Sequence, residues 1–268
     1  MSTQLSPNEV TERIGQLCSE FKLPTVGAEA APWFTRAGHP DALQTLLEVL
    51  EQEAEDRRQR RIIRLRRASR LPVGKSWDTL EHDRLPIKLR QQLDNLVRGD
   101  FVDQSVNILA FGLPGTGKTH ALCAIGHRLV EAGRSVLFTP AYRLVQDLLA
   151  AKRDLDLPGA LRKLDNFDFL LIDDLGYLTQ GTEESEVLFT LIAERYERRS
   201  LGVTSNVVFS DWEKVFHNPM ATAAAIDRLV HHSVILEFDV PSYRAGAAEL
   251  RLRDTDPGQQ TQEVNRPK

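Results

Sequence analysis

Val106-Asn107-Ile108-Leu109-Ala110-Phe111-Gly112-Leu113-Pro114-Gly115-Thr116-Gly117-Lys118-Thr119-His120 is the stretch on which the fold turns. Its first half is a short apolar run, the length of one buried strand. Its second half fits G-x-x-x-x-G-K-[ST] and opens an amphipathic helical stretch, the context in which that spacing has a mechanism. Glycines let successive backbone N–H groups turn inward around a phosphate, and the helix N-terminus adds partial positive charge. Gly112, Leu113, Pro114, Gly115, Thr116, Gly117, Lys118, Thr119 and His120 therefore form a candidate phosphate cradle. Lys118 is placed to bridge the β- and γ-phosphates of ATP, and the Thr119 hydroxyl to ligate Mg²⁺.

The second half of such a site lies downstream. Phe167-Asp168-Phe169-Leu170-Leu171-Ile172 reads as a buried strand that ends in Asp173-Asp174. A carboxylate at the C-terminal end of a strand sits in the ligand crevice of an open α/β sheet. Asp173 is thus the candidate Mg²⁺ ligand through water, and Asp174 the group that polarises the attacking water. The next strand ends in Thr204-Ser205-Asn206. Asn206 fits either a role beside the γ-phosphate, called sensor 1, or a turn residue that satisfies its own backbone.

Short apolar runs alternate with helical stretches from Val106 onward: Ser135 to Phe138, Phe167 to Ile172, Leu201 to Ser205 and Ser233 to Phe238 complete a set of five strands. That alternation predicts a parallel sheet flanked by helices on both faces. Ahead of it, Ser6-Pro7-Asn8-Glu9 reads as a capped helix start, followed by Val10, Ile14, Leu17, Cys18 and Phe21 at helical spacing. A second helix begins near Asp41 and carries Leu43, Leu46, Leu47 and Leu50 on one side. It runs on into an Arg-rich stretch that is polar all round, as in a helix that projects from the body. Pro72 and Gly74 punctuate the chain, which gives a small all-α N-terminal domain over 1–75, a main α/β domain over 76–250 and a polar, disordered tail over 251–268.

With 268 residues, 41% hydrophobic and 27% charged, the chain is long enough to bury a core, and disorder of the whole is excluded. No apolar run approaches the roughly 18–20 residues of a membrane span, and no signal pattern opens the chain, so a cytoplasmic location is the expectation and a membrane is not among the partners. Two cysteines far apart encode neither a disulfide framework nor a zinc site. His231 and His232 are adjacent, which puts them on different faces of a helix and speaks against a ligand pair. Trp33, Trp77 and Trp212 read as core or edge residues. The net charge of −4 hides a stripe of eight arginines between Arg57 and Arg70. Such a stripe seeks an anion, nucleic acid phosphates first, with a solvated helix or an acidic surface on a partner protein as the alternatives. Nothing in it reads bases, so DNA binding through Arg57, Arg60, Arg61, Arg64 and Arg67 is expected to be largely independent of sequence.

The run from the phosphate loop through Leu175-Gly176-Tyr177, Arg195-Tyr196-Glu197-Arg198-Arg199-Ser200, Val203-Thr204-Ser205-Asn206, Asp227-Arg228-Leu229-Val230-His231-His232 and Ser242-Tyr243-Arg244 resembles IstB-type transposition helper ATPases, over about residues 10 to 250. These are AAA+ ATPases of the clade of the helicase loader DnaC and the initiator DnaA, and they assist an IstA transposase by binding target DNA with ATP. The resemblance implies a P-loop NTPase (AAA+) core, ATP and Mg²⁺ as ligands, and a homo-oligomer with ATP at subunit boundaries. It assigns Gly117, Lys118 and Thr119 to Walker A, Asp173 and Asp174 to Walker B, and Asn206 to sensor 1. Arg228 takes the place of an arginine finger entering the neighbouring subunit's site, and Arg244 that of sensor 2. It also implies an extra helical element over 141–166, with Lys152, Arg153, Arg162 and Lys163 facing a DNA channel.

Two departures matter. Asp174 stands where most AAA+ proteins carry Glu, which sets the carboxylate back by one CH₂ and implies slow hydrolysis without DNA or partner. The length after Arg244 also gives no expectation of the helical lid domain found in many AAA+ proteins. A DnaC-like helicase loader, and a nucleotide-gated DNA scaffold with little hydrolysis, remain alternatives to the transposition helper.

Overall fold

The computed structural model describes residues 5–176, 181–207, 212 and 219–243. The chain divides into two compact units, Met1–Arg64 and Leu65–Lys268, with the division inside a helix and upstream of the Pro72–Gly74 punctuation. Among the described residues no helix is long and apolar enough to cross a membrane.

In the first unit, α1 (Pro7–Glu20) starts on a reciprocal capping box: the Ser6 hydroxyl accepts from the Glu9 N–H, and the Ser6 N–H donates to the Glu9 carboxylate at 2.7 Å. Val10, Ile14, Leu17 and Cys18 form its buried face and meet Leu47 and Leu50 of α3 (Ala42–Ser69). Between them lies α2 (Pro24–Arg36), with Pro24 in its first turn; the apolar spacing of the sequence gave no expectation of it. Its Ala-rich face buries no residue, and Trp33 is 65% exposed there, so this tryptophan is neither core nor edge.

The second unit holds a five-stranded sheet of β1 (Asn107–Gly112), β2 (Val136–Pro140), β3 (Phe169–Asp173), β4 (Ser200–Ser205) and β5 (Ser233–Phe238). All neighbours are parallel, in the order β2-β3-β4-β1-β5. β1 is nearly continuous in apolar residues because it is covered on both faces: Ile108, Leu109 and Ala110 are fully buried. The helices are α4 (Ile87–Leu96), α5 (Asp100–Asp103), α6 (Lys118–Glu131), α7 (Ala141–Arg153), α8 (Leu157–Asp165), α9 (Thr182–Arg195) and α10 (Pro219–His231). Two helices do occupy 141–166, as the resemblance implies.

β3 begins at Phe169 and not at Phe167, because the Phe167 N–H still closes α8 on the Leu164 carbonyl and its own carbonyl accepts from Arg195. Among the described residues, Arg195 is the one arginine buried in this core, 1% exposed. Its guanidinium donates to the carbonyls of Leu164, Phe167 and Ser200 at 2.9, 2.9 and 3.0 Å and so joins the end of α8 to the starts of β3 and β4. Because the strands are parallel, Gly112, Asp173 and Ser205 come out together on one edge of the sheet, where a ligand crevice is expected.

Candidate active site

The phosphate loop leaves β1 at Gly112, in register with Phe238 of β5. A Cβ at Gly112 would lie 2.5 Å from the Phe238 carbonyl oxygen, and φ there is +150°, so only glycine fits. Gly115 and Gly117 follow at φ +83° and +99°, which turns the loop back on itself before α6 starts at Lys118. The Thr116 hydroxyl, 1% exposed, donates to the Leu113 carbonyl at 2.8 Å and closes the turn from inside, while Leu113 points outward, 71% exposed.

Lys118 is 7% exposed and folds over the loop, its Nζ donating to the Gly112 and Leu113 carbonyls at 2.7 and 2.8 Å. A buried ammonium folded over a glycine loop at a helix N-terminus sits where a phosphate is a natural ligand.

Thr119, one residue on, donates its hydroxyl to Asp173 Oδ1 at 2.7 Å. The same carboxylate oxygen accepts from the Thr204 hydroxyl at 2.7 Å. Thr204 in turn accepts from the backbone N–H of Asp174 at 2.8 Å. Asp174 adopts φ +63°, a left-handed conformation uncommon for a residue with a side chain. Three strand ends are thus tied through one carboxylate: β1 through Thr119, β3 through Asp173 and β4 through Thr204. Thr204 was the residue that the sequence quoted beside Asn206 without a role; its signal was a hydroxyl at the last inward position of a strand next to the paired aspartates.

Asn206 lies just beyond β4, and its Oδ1 is buried without a hydrogen-bond partner among the described residues. An unpaired buried acceptor beside a carboxylate pair is where a donor from solvent or substrate belongs. The residues fit a magnesium nucleotide on these grounds: a glycine cradle that no Cβ can fill, a lysine over it, a hydroxyl and a carboxylate in contact, and an orphaned acceptor.

A cavity of about 300 Å³ opens beside the loop, bounded by Gly115, Gly117, Lys118 and Thr119 on one side and by Lys75, Thr79 and Tyr243 on the other. Tyr243 holds its place through its N–H on the Gly115 carbonyl at 2.9 Å and through Arg84, whose guanidinium lies 4.0 Å from the ring centre. His120 turns its Nε2 to the Ser76 carbonyl and the Thr79 hydroxyl at 3.1 and 3.0 Å. Burial holds this imidazole below its ordinary value, the hydrogen bond to Ser76 opposing in part. Lys75, Thr79, Leu80 and Glu81 thus line the site, a role that the sequence left unassigned.

Arg228 is not part of this constellation. It lies on α10, close to the start of β5 and therefore at the opposite edge of the sheet, with its guanidinium 5.0 Å from the centre of the Phe189 ring. Arg244 and Tyr177 lie outside the described residues, as does the tail from Arg251.

The basic stripe is less bare than its sequence suggests. Arg57, Arg58 and Arg60 are paired along α3 with Glu53 and Glu55, at 2.6, 2.7 and 3.2 Å. The Glu55 carboxyl is held down at about 2 by hydrogen bonds from Arg58 and Gln59. Arg64 and Arg67 carry no ion pair among the described residues. Lys152 is paired with Glu186 at 2.7 Å, whereas Arg153, Arg162 and Lys163 are exposed.

The comparisons with known proteins agree with this geometry. The family described as IstB-like ATP binding protein matches residues 20–249. A Sinorhizobium fredii protein named for an insertion sequence and for ATP binding is 42% identical over 240 residues, 88% of this chain and 80% of that protein. The ATP-binding protein of insertion sequence IS5376 from Geobacillus stearothermophilus is 32% identical over 91% of this chain and 97% of its own length. Among solved structures, the DnaC helicase loader superposes with a TM-score of 0.54 at 16% identity, over 62% of this chain and 98% of that one. The DnaA initiator bound to AMPPCP and single-stranded DNA superposes with a TM-score of 0.55 at 16% identity, over 72% of this chain and 59% of that one. At such identities these two likenesses speak for the fold alone, an AAA+ P-loop core.

Proposed function

The chain belongs to the IstB-like ATP binding protein family, and from that premise we propose that it is an ATP-hydrolysing transposition helper that assembles on double-stranded DNA and serves an IstA-type transposase. The observation that carries the catalytic part is the Thr119–Asp173–Thr204 contact behind the Gly112–Thr119 loop. In this reading the Thr119 hydroxyl and Asp173 would hold Mg²⁺, which would supply neutralisation of phosphate charge. Lys118 exchanges the carbonyls of Gly112 and Leu113 for phosphate oxygens. Asp174 takes the proton side of the attacking water, and Asn206 Oδ1 accepts its second hydrogen bond. What these groups contribute is position and fixed charge, since phosphoryl transfer to water asks for little else of a protein. The nucleoside occupies the cavity between the loop, residues 75–81 and Tyr243.

Arg228 lies too far round the sheet to serve its own nucleotide and acts in a neighbouring subunit, so that ATP joins subunits and hydrolysis releases them. Arg244 takes the sensor 2 role toward its own subunit's nucleotide, as the resemblance implies. DNA is held through phosphates by Arg61, Arg64 and Arg67, and by Lys152 and Arg153 at the end of α7, with a smaller share from Arg57 and Arg60, which pair with Glu53. The domains that divide this work are a helical DNA- or partner-binding domain up to about residue 75 and the ATPase core beyond it.

A second reading, a nucleotide-gated scaffold with little turnover, is favoured by one observation: Asp174 is a shorter acid than the usual Glu. A DnaC-like loader shares the core, and the neighbouring gene separates it from a transposition helper. The direct test is light scattering with double-stranded DNA under ATP, ADP and no nucleotide, together with phosphate release by wild type and Arg228→Ala. Assembly that needs ATP and DNA, with turnover lost in Arg228→Ala, is the expected result. A monomer whose hydrolysis ignores both DNA and Arg228 overturns the proposal.

A further inference from the structure

At the sheet edge opposite the phosphate loop, β4 and β5 both begin beside β1, so the turn that leads from α9 into β4 and the turn from α10 into β5 lie side by side. Asn107, 6% exposed, clamps the two together. Its Oδ1 accepts from the Leu201 N–H at 2.8 Å, its Nδ2 donates to the Leu229 carbonyl at 3.2 Å, and its N–H donates to the His232 carbonyl at 2.7 Å. In the first turn, Arg195 points inward, Tyr196 leaves the helix, and Glu197 takes φ +57°. In the second, α10 ends at His231, so His231 and His232 escape the helical spacing that would hold their side chains apart. Their rings stand 4.2 Å apart between centroids.

The three side chains converge. Glu197 Oε1 lies 3.9 Å from His231 Nδ1 and 3.6 Å from His232 Nε2, and the ligand atoms of all three lie within 4.8 Å of one another. The Tyr196 hydroxyl stands 2.8 Å from His231 Nδ1 and keeps that ring facing Glu197. We propose that Glu197, His231 and His232 form a surface site for a divalent transition-metal ion of the zinc type.

Two imidazole nitrogens and one carboxylate oxygen are the donors of such an ion, whereas Mg²⁺ and Ca²⁺ take oxygen alone. Bonds of about 2.0–2.2 Å to a tetrahedral centre set ligand atoms roughly 3.3–3.5 Å apart. Two of the separations present are within about half an ångström of that, a distance covered by side-chain rotation on turns that Asn107 holds fixed. All three residues are exposed, so an ion enters from solvent without rearrangement of the backbone, and its fourth position is open to water. On binding, the Tyr196 hydroxyl yields Nδ1 to the ion and remains as a neighbour for that water. The ion joins the C-terminus of α10, the helix that carries Arg228, to the start of β4. Any effect on ATP turnover rests on the arginine-finger reading above, but binding itself does not.

The test is calorimetric titration of the full chain with Zn²⁺, in millimolar Mg²⁺ to occupy the Thr119–Asp173 region. One site per chain is expected, retained in Asp173→Asn. His231→Ala, His232→Ala and Glu197→Gln each weaken it by at least about tenfold, the lower end of what even an outer-sphere partner is worth. The double histidine variant abolishes it, and because these side chains are exposed, circular dichroism of the variants matches wild type. Absence of uptake by wild type at Zn²⁺ on the order of 100 μM, or unchanged uptake by the folded double variant, overturns the proposal. Both readouts are independent of ATP, so they stand apart from the fate of the ATPase reading.

Discussion

Thr204→Val is the substitution that most sharply probes how the two aspartates are held. Valine has the shape of threonine without the hydroxyl, so at a position 2% exposed it opens no cavity, and the whole effect is polar. It removes one of the two hydroxyl donors to Asp173 Oδ1 and the acceptor for the Asp174 N–H. A partly buried N–H deprived of its acceptor costs up to about 1–3 kcal/mol, and a lost hydrogen bond to a charged group about 1.5–3 kcal/mol, the lower end applying to the half-buried carboxylate here. The sum is about 2.5–4.5 kcal/mol of stability. Asp174 at φ +63° relies on that N–H contact to stay in place, so its carboxylate also loses its aim. Turnover falls by about ten- to a hundredfold, which is about 1.4–2.7 kcal/mol of barrier, while ATP affinity stays within about threefold because the glycine loop and Lys118 are untouched. Urea unfolding without nucleotide reads the first effect and phosphate release the second; Thr204→Ser recovers both. A valine variant that unfolds within about 0.5 kcal/mol of wild type and hydrolyses at its rate refutes the reasoning.

Arg195→Met strips donors from the carbonyls of Leu164, Phe167 and Ser200. Relief of the burial that pushes this guanidinium down to about 10 offsets part of the loss, so the net cost is about 3–5 kcal/mol in urea unfolding, and a variant as stable as wild type contradicts it. His120 is held by burial below its ordinary 6.5, so the unfolded chain takes up this proton at a higher pH than the folded one does. Its contribution is therefore fully present above about pH 6.5 and is lost as pH falls from there to the folded-state value; unfolding of His120→Gln is expected to be flatter over that range, and parallel profiles rule this out. Changing Arg60, Arg61, Arg64 and Arg67 to Ala lowers the salt slope of DNA binding by up to about four, less Arg60's share because of its pairing with Glu53. An unchanged slope assigns the stripe to a protein partner.

The fold was legible because its strongest signals are local. Gly112 to Thr119 needs its strand before and its helix after, and the four other apolar runs fall on β2 to β5 within two residues. What escaped the sequence depends on burial or on long-range contact. α2 has no buried face, so hydrophobic spacing could not announce it. Glu53 and Glu55 stand just upstream of the arginine stripe, and only the helix brings them onto Arg57, Arg58 and Arg60. Thr204 takes its meaning from β4 lying beside β3, and Tyr243 from a chain return to Gly115. Adjacency puts His231 and His232 on different faces only within a helix; the helix stops between them and Glu197 comes from another turn.

ATP binding and phosphate release by wild type, Lys118→Ala and Asp174→Ala, measured side by side, test the central claim most directly. The account predicts that wild type binds and hydrolyses, that Lys118→Ala loses binding, and that Asp174→Ala binds as wild type does but releases no phosphate. Wild-type turnover in Asp174→Ala removes that residue from the mechanism, and undiminished binding in Lys118→Ala contradicts the site itself.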